Sequence, residues 1–327
     1  MELLNPDLEK NITFVHPAYF IISGFIDIPD MKYYYVFLFF VYIVSVLGNT
    51  AVMGIICLDH KLRTPKYIAV FNLAFADLFG SSAMVPKVFD IFQFDHRYIP
   101  YDDCFTFMFF CYACLAMEPF NLVALAYDRL IAIIFPLHYQ LMVTCRFMFS
   151  LIASFWLIVS TFLLIAVVPL TTLSYCKSVV INSYVCDYAL VHKLACNENA
   201  LTLFTGHSLS VLILWLPLVF IISCYSYIGY ALSKVAAVRE RVKAFKTCTS
   251  HLSLVAIYFL PLMFTFALNA YIDANTRLIN MSLSTVIPPM LNPIIYVLQT
   301  QEIRVSVKKL LKIKKQSKVT VKKAILK

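Results

Sequence analysis

Two carboxylates, Asp77 and Glu118, lie inside long apolar runs, and a third acid, Asp128, is followed directly by Arg129. An ionisable side chain in apolar surroundings is costly and marks a functional site by default. On a helix, Glu118 and Arg129 fall on one face, about 16 Å apart along the axis, with Leu122 between them, and Leu115, Cys111 and Met108 continue that face outward. Asp77 and Glu118 reach a comparable depth if their helices run antiparallel, and two such acids cannot both stay ionised unpaired. Either a cation such as Na⁺ bridges them, or at least one is protonated or hydrogen bonded. The chemistry on offer is the handling of buried charge: no H-E-x-x-H metal pair and no G-x-S-x-G turn occurs, so an enzyme is not expected.

The elements that must carry these groups are apolar runs long enough to cross a bilayer, about 20 residues each. Seven runs qualify: Tyr33 to Leu58, Tyr67 to Val88, Cys104 to Tyr127, Phe147 to Cys176, Ala200 to Ser233, Leu252 to Ile272 and Leu278 to Thr300. The expected fold is an all-α membrane protein, a seven-transmembrane helix bundle with a short amphipathic C-terminal helix. Residues 1–32 read as an extracellular tail, 33–300 as the bundle, and 301–327 as a cytoplasmic amphipathic helix and basic tail. From Gln301 to Ile313, Ile303, Val307, Leu310 and Leu311 oppose Arg304, Lys308, Lys309 and Lys312, a pattern suited to lying on an anionic leaflet. Prolines Pro86, Pro119, Pro169, Pro217, Pro261, Pro288, Pro289 and Pro293 interrupt six of the spans; each removes a backbone donor and favours a bend, as packing geometry or as a hinge.

Composition points the same way. Of 327 residues, 61% are hydrophobic and 14% charged, with a mean hydropathy of +0.80, whereas a soluble chain carries about 25% charged residues. That excludes a cytosolic enzyme. The net charge of +9 is no nucleic-acid signature, because the basic residues flank apolar blocks. With the N-terminus outside, Lys61, Arg63, Lys66, Arg129, Arg146, Lys234, Arg239, Arg241, Lys243, Lys246 and the basic run from Arg304 to Lys327 all fall on the inner side, as the positive-inside rule requires. The acidic start, with Glu2, Asp7 and Glu9, lacks the form of a cleaved signal peptide, and Asn11-Ile12-Thr13 offers a glycosylation sequon on the outward tail.

Of ten cysteines, Cys57, Cys111, Cys114, Cys145, Cys224 and Cys248 fall within spans or on the inner side, where thiols stay reduced. Cys104, Cys176, Cys186 and Cys196 face out, and their three pairings remain open by arithmetic.

Over nearly its whole length the sequence resembles an odorant receptor of the rhodopsin-like G-protein-coupled receptor class. The resemblance rests on Gly48-Asn49, on Leu62-Arg63-Thr64-Pro65-Lys66-Tyr67, on Leu73-Ala74-Phe75-Ala76-Asp77, and on Ala126-Tyr127-Asp128-Arg129-Leu130-Ile131-Ala132-Ile133 followed by Pro136-Leu137-His138-Tyr139. It continues in Lys243-Ala244-Phe245-Lys246-Thr247-Cys248-Thr249-Ser250-His251-Leu252 and closes with Pro289-Met290-Leu291-Asn292-Pro293-Ile294-Ile295-Tyr296. Leu130, Lys66, Lys246 and Pro119 depart from the family pattern, and Pro119 bends the third span beside Glu118.

The resemblance implies disulfides Cys104–Cys186 and Cys176–Cys196, an olfactory role at the plasma membrane, and coupling to a heterotrimeric G protein with a stimulatory α-subunit that raises cAMP. It implies that Asp128 and Arg129 hold the inner end closed, with Tyr225, Asn292, Pro293 and Tyr296 as partners in the rearrangement. The other expected partners are a small-molecule odorant and membrane lipid, not nucleic acid, and no cofactor is expected beyond the Na⁺ of Asp77 and Glu118. The inward face above Glu118 nominates Met108, Cys111 and Leu115 as ligand contacts, with Tyr112 at its edge; His207, Ser210, Phe266, Asn269 and Ser282 are candidate additions from later spans. A secondary transporter would show matching halves with Gly or Pro breaks, against which stand seven runs and 6 glycines. A related receptor for amines would carry an acid where Cys111 and Tyr112 stand.

Overall fold

The computed structural model describes residues 16–25, 28, 30–197, 200–235, 238–268 and 271–309. Helices form along the apolar runs: α1 (Met31–Leu58), α2 (Pro65–Gln93), α3 (Tyr101–Ile134), α4 (Cys145–Leu170), α5 (Ala200–Ser233), α6 (Val238–Leu268) and α7 (Ala274–Gln299). Their starts are encoded locally. Pro65 opens α2, where its missing N–H costs nothing. Thr144 caps α4 by accepting from the Phe147 N–H at 3.1 Å, and Asp273 caps α7 by accepting from the Thr276 N–H at 3.0 Å. One turn of α5, Val211–Trp215, is wound as a π-helix just before Pro217, a position where the proline has no N–H to continue the regular ladder. By contrast α3 runs unbroken through Pro119.

Among the described residues, α1 to α5 and α7 are long and apolar enough to cross a membrane, and α6 contains a shorter apolar stretch, His251–Thr265. The architecture is an all-α membrane bundle, and α3 is its hub: 67% of its apolar stretch is buried, against 28% in α1, α4 and α5. Those outer helices turn Phe40, Leu47, Leu157 and Ile222 outward, which is where lipid rather than protein must solvate them. Asn72, Asn121 and Trp156 knit the hub to its neighbours. The Asn72 amide donates to Asn121 Oδ1 at 2.9 Å, and the Trp156 indole N–H donates to Asn72 Oδ1 at 3.0 Å, joining α2, α3 and α4.

The outer face carries a feature the sequence reading did not anticipate. Residues expected to be tail form a strand, β1 (Tyr19–Ile22), at the centre of a three-stranded sheet whose edges are β2 (Tyr98–Pro100) and β3 (Val180–Ile181). β1 runs antiparallel to β2, with Phe20 opposite Ile99, and parallel to β3, with Ile21 opposite Val180. The reason is burial: Phe20 is fully covered, packed among Tyr101, Phe105 and Tyr175. Cys104 at the outer start of α3 pairs with Cys186, and Cys176 pairs with Cys196 within the loop between α4 and α5. The first bond ties β3's loop to the hub.

On the inner face, residues 301–309 form a last helix, α8. Positions from 310 onward, including Leu310 and Leu311 of the expected amphipathic helix, lie outside the described residues, as does Asn11. Ile303 is fully buried and Val307 packs on the inner core.

The Cys104–Cys186 bond closes a sequence separation of 82 residues, and such a loop is worth about 4 kcal/mol through the unfolded state. Cys104→Ser and Cys186→Ser are each expected to remove surface expression, measured by labelling intact cells. Full surface expression in both variants would contradict the bond's role.

Candidate functional site

Glycine sets the distance between the two buried acids. A Cβ on Gly80 would stand 2.9 Å from Cys114 Cβ, so only glycine lets α2 approach α3 this closely. One turn earlier on α2 is Asp77, 2% exposed, and one turn later on α3 is Glu118, 4% exposed. Both line one cavity, together with Ser81, Cys114, Leu115 and Thr285, and that cavity admits a water-sized occupant. Asp77 Oδ2 accepts a 2.8 Å hydrogen bond from the Asn292 amide on α7, while Asp77 Oδ1 is buried with no partner. The Ser81 hydroxyl donates to the Asp77 carbonyl at 2.6 Å. Pro119 cannot donate to the Leu115 carbonyl, its place in the helical ladder. This is an oxygen-rich donor set of the kind hard cations take. Among the described residues no group of three or more His, Cys, Asp or Glu side chains is placed to hold a metal ion.

At the inner end of α3, Asp128 is 1% exposed and holds two partners. The Tyr139 hydroxyl donates to its Oδ1 at 2.6 Å, and Arg129 Nη2 lies 3.8 Å from its Oδ2. Tyr139 stands in the loop after α3, where burial first and the Asp128 carboxylate second push its phenol above the usual range. It therefore remains a donor at neutral pH. Nearby, the Tyr225 hydroxyl on α5 and His251 Nδ1 on α6 share a 2.7 Å hydrogen bond. On α7, Pro293 lies against Gly48, where an added Cβ would stand 3.0 Å away. The Asn49 amide donates to the Pro289 carbonyl at 2.8 Å, and the Tyr296 hydroxyl is buried without a partner. The Tyr225–His251 bond joins α5 to α6, and the Asn49–Pro289 bond and the Gly48–Pro293 contact join α1 to α7, whereas both partners of Asp128 lie on α3 or in the loop that follows it.

The face of α3 above Glu118 also faces inward. Met108 is 1% and Cys111 4% exposed, and Tyr112 and Leu115 are half-buried. Cys111 packs in one cluster with Met84, Val85, Tyr184 and Leu278. The Tyr112 hydroxyl donates to Asp187 Oδ2 at 3.1 Å, so the acid beside this face comes from the loop that Cys186 anchors. Ser282 is buried and shares a 2.6 Å hydrogen bond with the Tyr34 hydroxyl. Ser210 is half-buried and donates to the Gly206 carbonyl at 3.4 Å. His207 does not join them: it is exposed, because Thr202 and Thr205 occupy the buried side of that part of α5 and His207 is rotated away from it. The Phe266 side chain and Asn269 lie outside what is described.

Sequence reasoning overlooked several partners: Tyr139 and His251 stand inside the motifs without a role, and Asn121 and Asp187 belong to no motif. Their common signal is a polar side chain on a span or at its edge, one residue type at a time, with nothing in the sequence to name the partner.

A family model described as olfactory receptor matches residues 38–314. Among curated relatives, the chain is 33% identical to olfactory receptor 1E2 of Gorilla gorilla gorilla over 80% of this chain and 84% of the relative. It is 30% identical to olfactory receptor 1496 of Rattus norvegicus, covering 90% and 95%, and 32% identical to olfactory receptor 1J1 of Homo sapiens, covering 89% and 91%.

Truncating Asn292 would leave both Asp77 oxygens without a donor inside the bundle. Such a loss costs roughly 1–3 kcal/mol. Asn292→Ala is expected to lower the thermal unfolding midpoint of the purified, ligand-free protein; an unchanged midpoint would remove the Asp77–Asn292 bond as a structural tie.

Proposed function

The chain belongs to the olfactory receptor family, and on that premise we propose that it is a seven-transmembrane odorant receptor that activates a stimulatory heterotrimeric G protein. As a family member it is a receptor and not an enzyme. The apolar stretch His251–Thr265 of α6, taken with the six longer apolar helices, supports the count of seven spans. The basic residues of the inner loops support an outside N-terminus and a cytoplasmic C-terminus in the plasma membrane, with Asn11 as an acceptor for glycan.

A small-molecule odorant enters from outside and contacts Met108, Cys111, Tyr112, Leu115 and Ser282. It shifts the population toward a state with an open inner face, by the difference in its affinity for the two states. The observation that carries this reading is the set of contacts at the inner end of α3. Asp128 is held at 2.6 Å by Tyr139 and lies 3.8 Å from Arg129, whose side chain is 15% exposed at the bundle's mouth. Breaking that set frees Arg129 for the G-protein α-subunit, while Tyr225, Asn292, Pro293 and Tyr296 rearrange around it. The orphaned Asp77 Oδ1 and the small cavity that it shares with Glu118 support a bound Na⁺ between the two acids that favours the closed state.

In cells carrying a cAMP reporter, a panel of amino acids, carboxylic acids, amines, steroids and apolar volatiles is expected to yield a dose-dependent rise for at least one class. His207→Phe should leave that curve unchanged from pH 6 to 8. Silence from a surface-expressed receptor toward every class would contradict the odorant reading. For the cation, NaCl is expected to raise the thermal midpoint of the purified receptor more than equal KCl, and Asp77→Asn is expected to abolish the difference; equal effects of the two salts would remove Na⁺ from the account.

A further inference from the structure

The terminal helix α8 is fixed to the bundle by a polar contact as well as by apolar packing. Ile303, Ser306 and Val307 share one helical face. Ser306 is 3% exposed, and its hydroxyl donates to Asp59 Oδ2 at 2.7 Å. Asp59, in the loop between α1 and α2, is 6% exposed. Its Oδ1 accepts from the Lys61 N–H at 3.2 Å and lies 3.8 Å from Lys309 Nζ. Both oxygens are engaged, and the Ser306 hydroxyl, with the Lys61 N–H, holds the Asp59 carboxyl below the usual carboxylate range.

The serine at this contact sits in a strongly basic strip: Arg304 precedes it by two residues, Lys308 and Lys309 follow, and Lys312, Lys314 and Lys315 lie beyond. A kinase with an acidic substrate groove recognises such flanks by charge. The docked hydroxyl is covered, so it becomes available only when α8 leaves the loop.

We propose that Ser306 is a phosphoacceptor, and that its modification holds α8 off the first inner loop. In the reaction Ser306 Oγ attacks the γ-phosphorus of ATP. The Oγ–P bond forms, the bond from that phosphorus to the β,γ-bridging oxygen breaks, ADP departs, and the hydroxyl proton passes to the base of the kinase. The product carries about −1.5 to −2 charges at the point where a hydroxyl had donated to Asp59. The donor is lost and two anions face each other across the former hydrogen bond, with Lys309 and Lys61 as the cations that act on Asp59. Redocking is therefore blocked, so the phosphate records that the helix has undocked. Nothing in this depends on which odorant binds.

The test uses full-length receptor isolated from expressing cells. Peptide mass spectrometry of wild type and Asp59→Asn is expected to find phosphate on Ser306, with occupancy several-fold higher in Asp59→Asn, whose weaker acceptor releases α8 more often. Hydrogen exchange of residues 301–309 is then compared in wild-type receptor before and after phosphatase treatment, in a lipid nanodisc, a comparison that needs no variant to fold. Exchange in the phosphorylated receptor is expected to be about tenfold faster, and Ser306→Glu is expected to reproduce it. Absence of phosphate on Ser306 in both receptors, with that peptide covered, would overturn the proposal. So would phosphorylated and phosphatase-treated receptor exchanging at the same rate.

Discussion

A carboxylate enclosed by a lipid-facing bundle is cut off from bulk water, so the groups around it must answer its charge. Asp77 is the point where that constraint is tightest. Asn292 reaches it from α7 at 2.8 Å, Gly80 lets α3 close in on it, and Glu118 shares its cavity. Three helices are thereby fixed in depth and rotation by one side chain. Polar groups of this kind cost free energy unless fully met, and one Asp77 oxygen is left unmet.

The hub helix α3 transmits that constraint in both directions. At its outer start Cys104 holds the loop that carries β3 and Asp187. At its inner end Asp128 is tied to Tyr139 and Arg129. At 34 residues it spans about 50 Å, so the face of Met108 and Cys111, the buried acid Glu118 and the inner charge pair lie on one helix. Coupling between the two mouths then needs no relay through loops. It needs only that α3 and the helices bonded to it have two arrangements, each with its own set of partners.

Much of this was legible in the sequence because hydropathy and helical spacing are local. The apolar runs marked the helices, although α6 begins at Val238, well before its run, and α3 continues past its run to Ile134; helical spacing put Met108, Cys111 and Leu115 on the face of Glu118, where Met108 and Cys111 are buried and Leu115 half-buried. Long-range pairing was not legible. Nothing local distinguishes Tyr19–Ile22 from a disordered tail, since the strand exists only because Phe20 has an aromatic pocket made by Tyr101, Phe105 and Tyr175. His207 failed for the opposite reason: its residue type suggested a role, but the rotation of α5 is set by its neighbours and turns it outward. Asp187 escaped notice as an acid in a polar loop, and it is the disulfide at Cys186 that brings it to Tyr112.

The central claim is that ligand binding at the outer face opens the inner one, and the most direct measurement is a distance across that inner end. Spin labels at positions 141 and 242, both exposed in the wild-type protein and carried by the loop after α3 and by α6, can be placed in a receptor lacking the exposed thiols of Cys57 and Cys145. With a reporter-active odorant and G protein present, the distance distribution is predicted to shift outward relative to the ligand-free receptor, and to return when the odorant is removed. An unchanged distribution in a receptor that still drives cAMP would contradict the account.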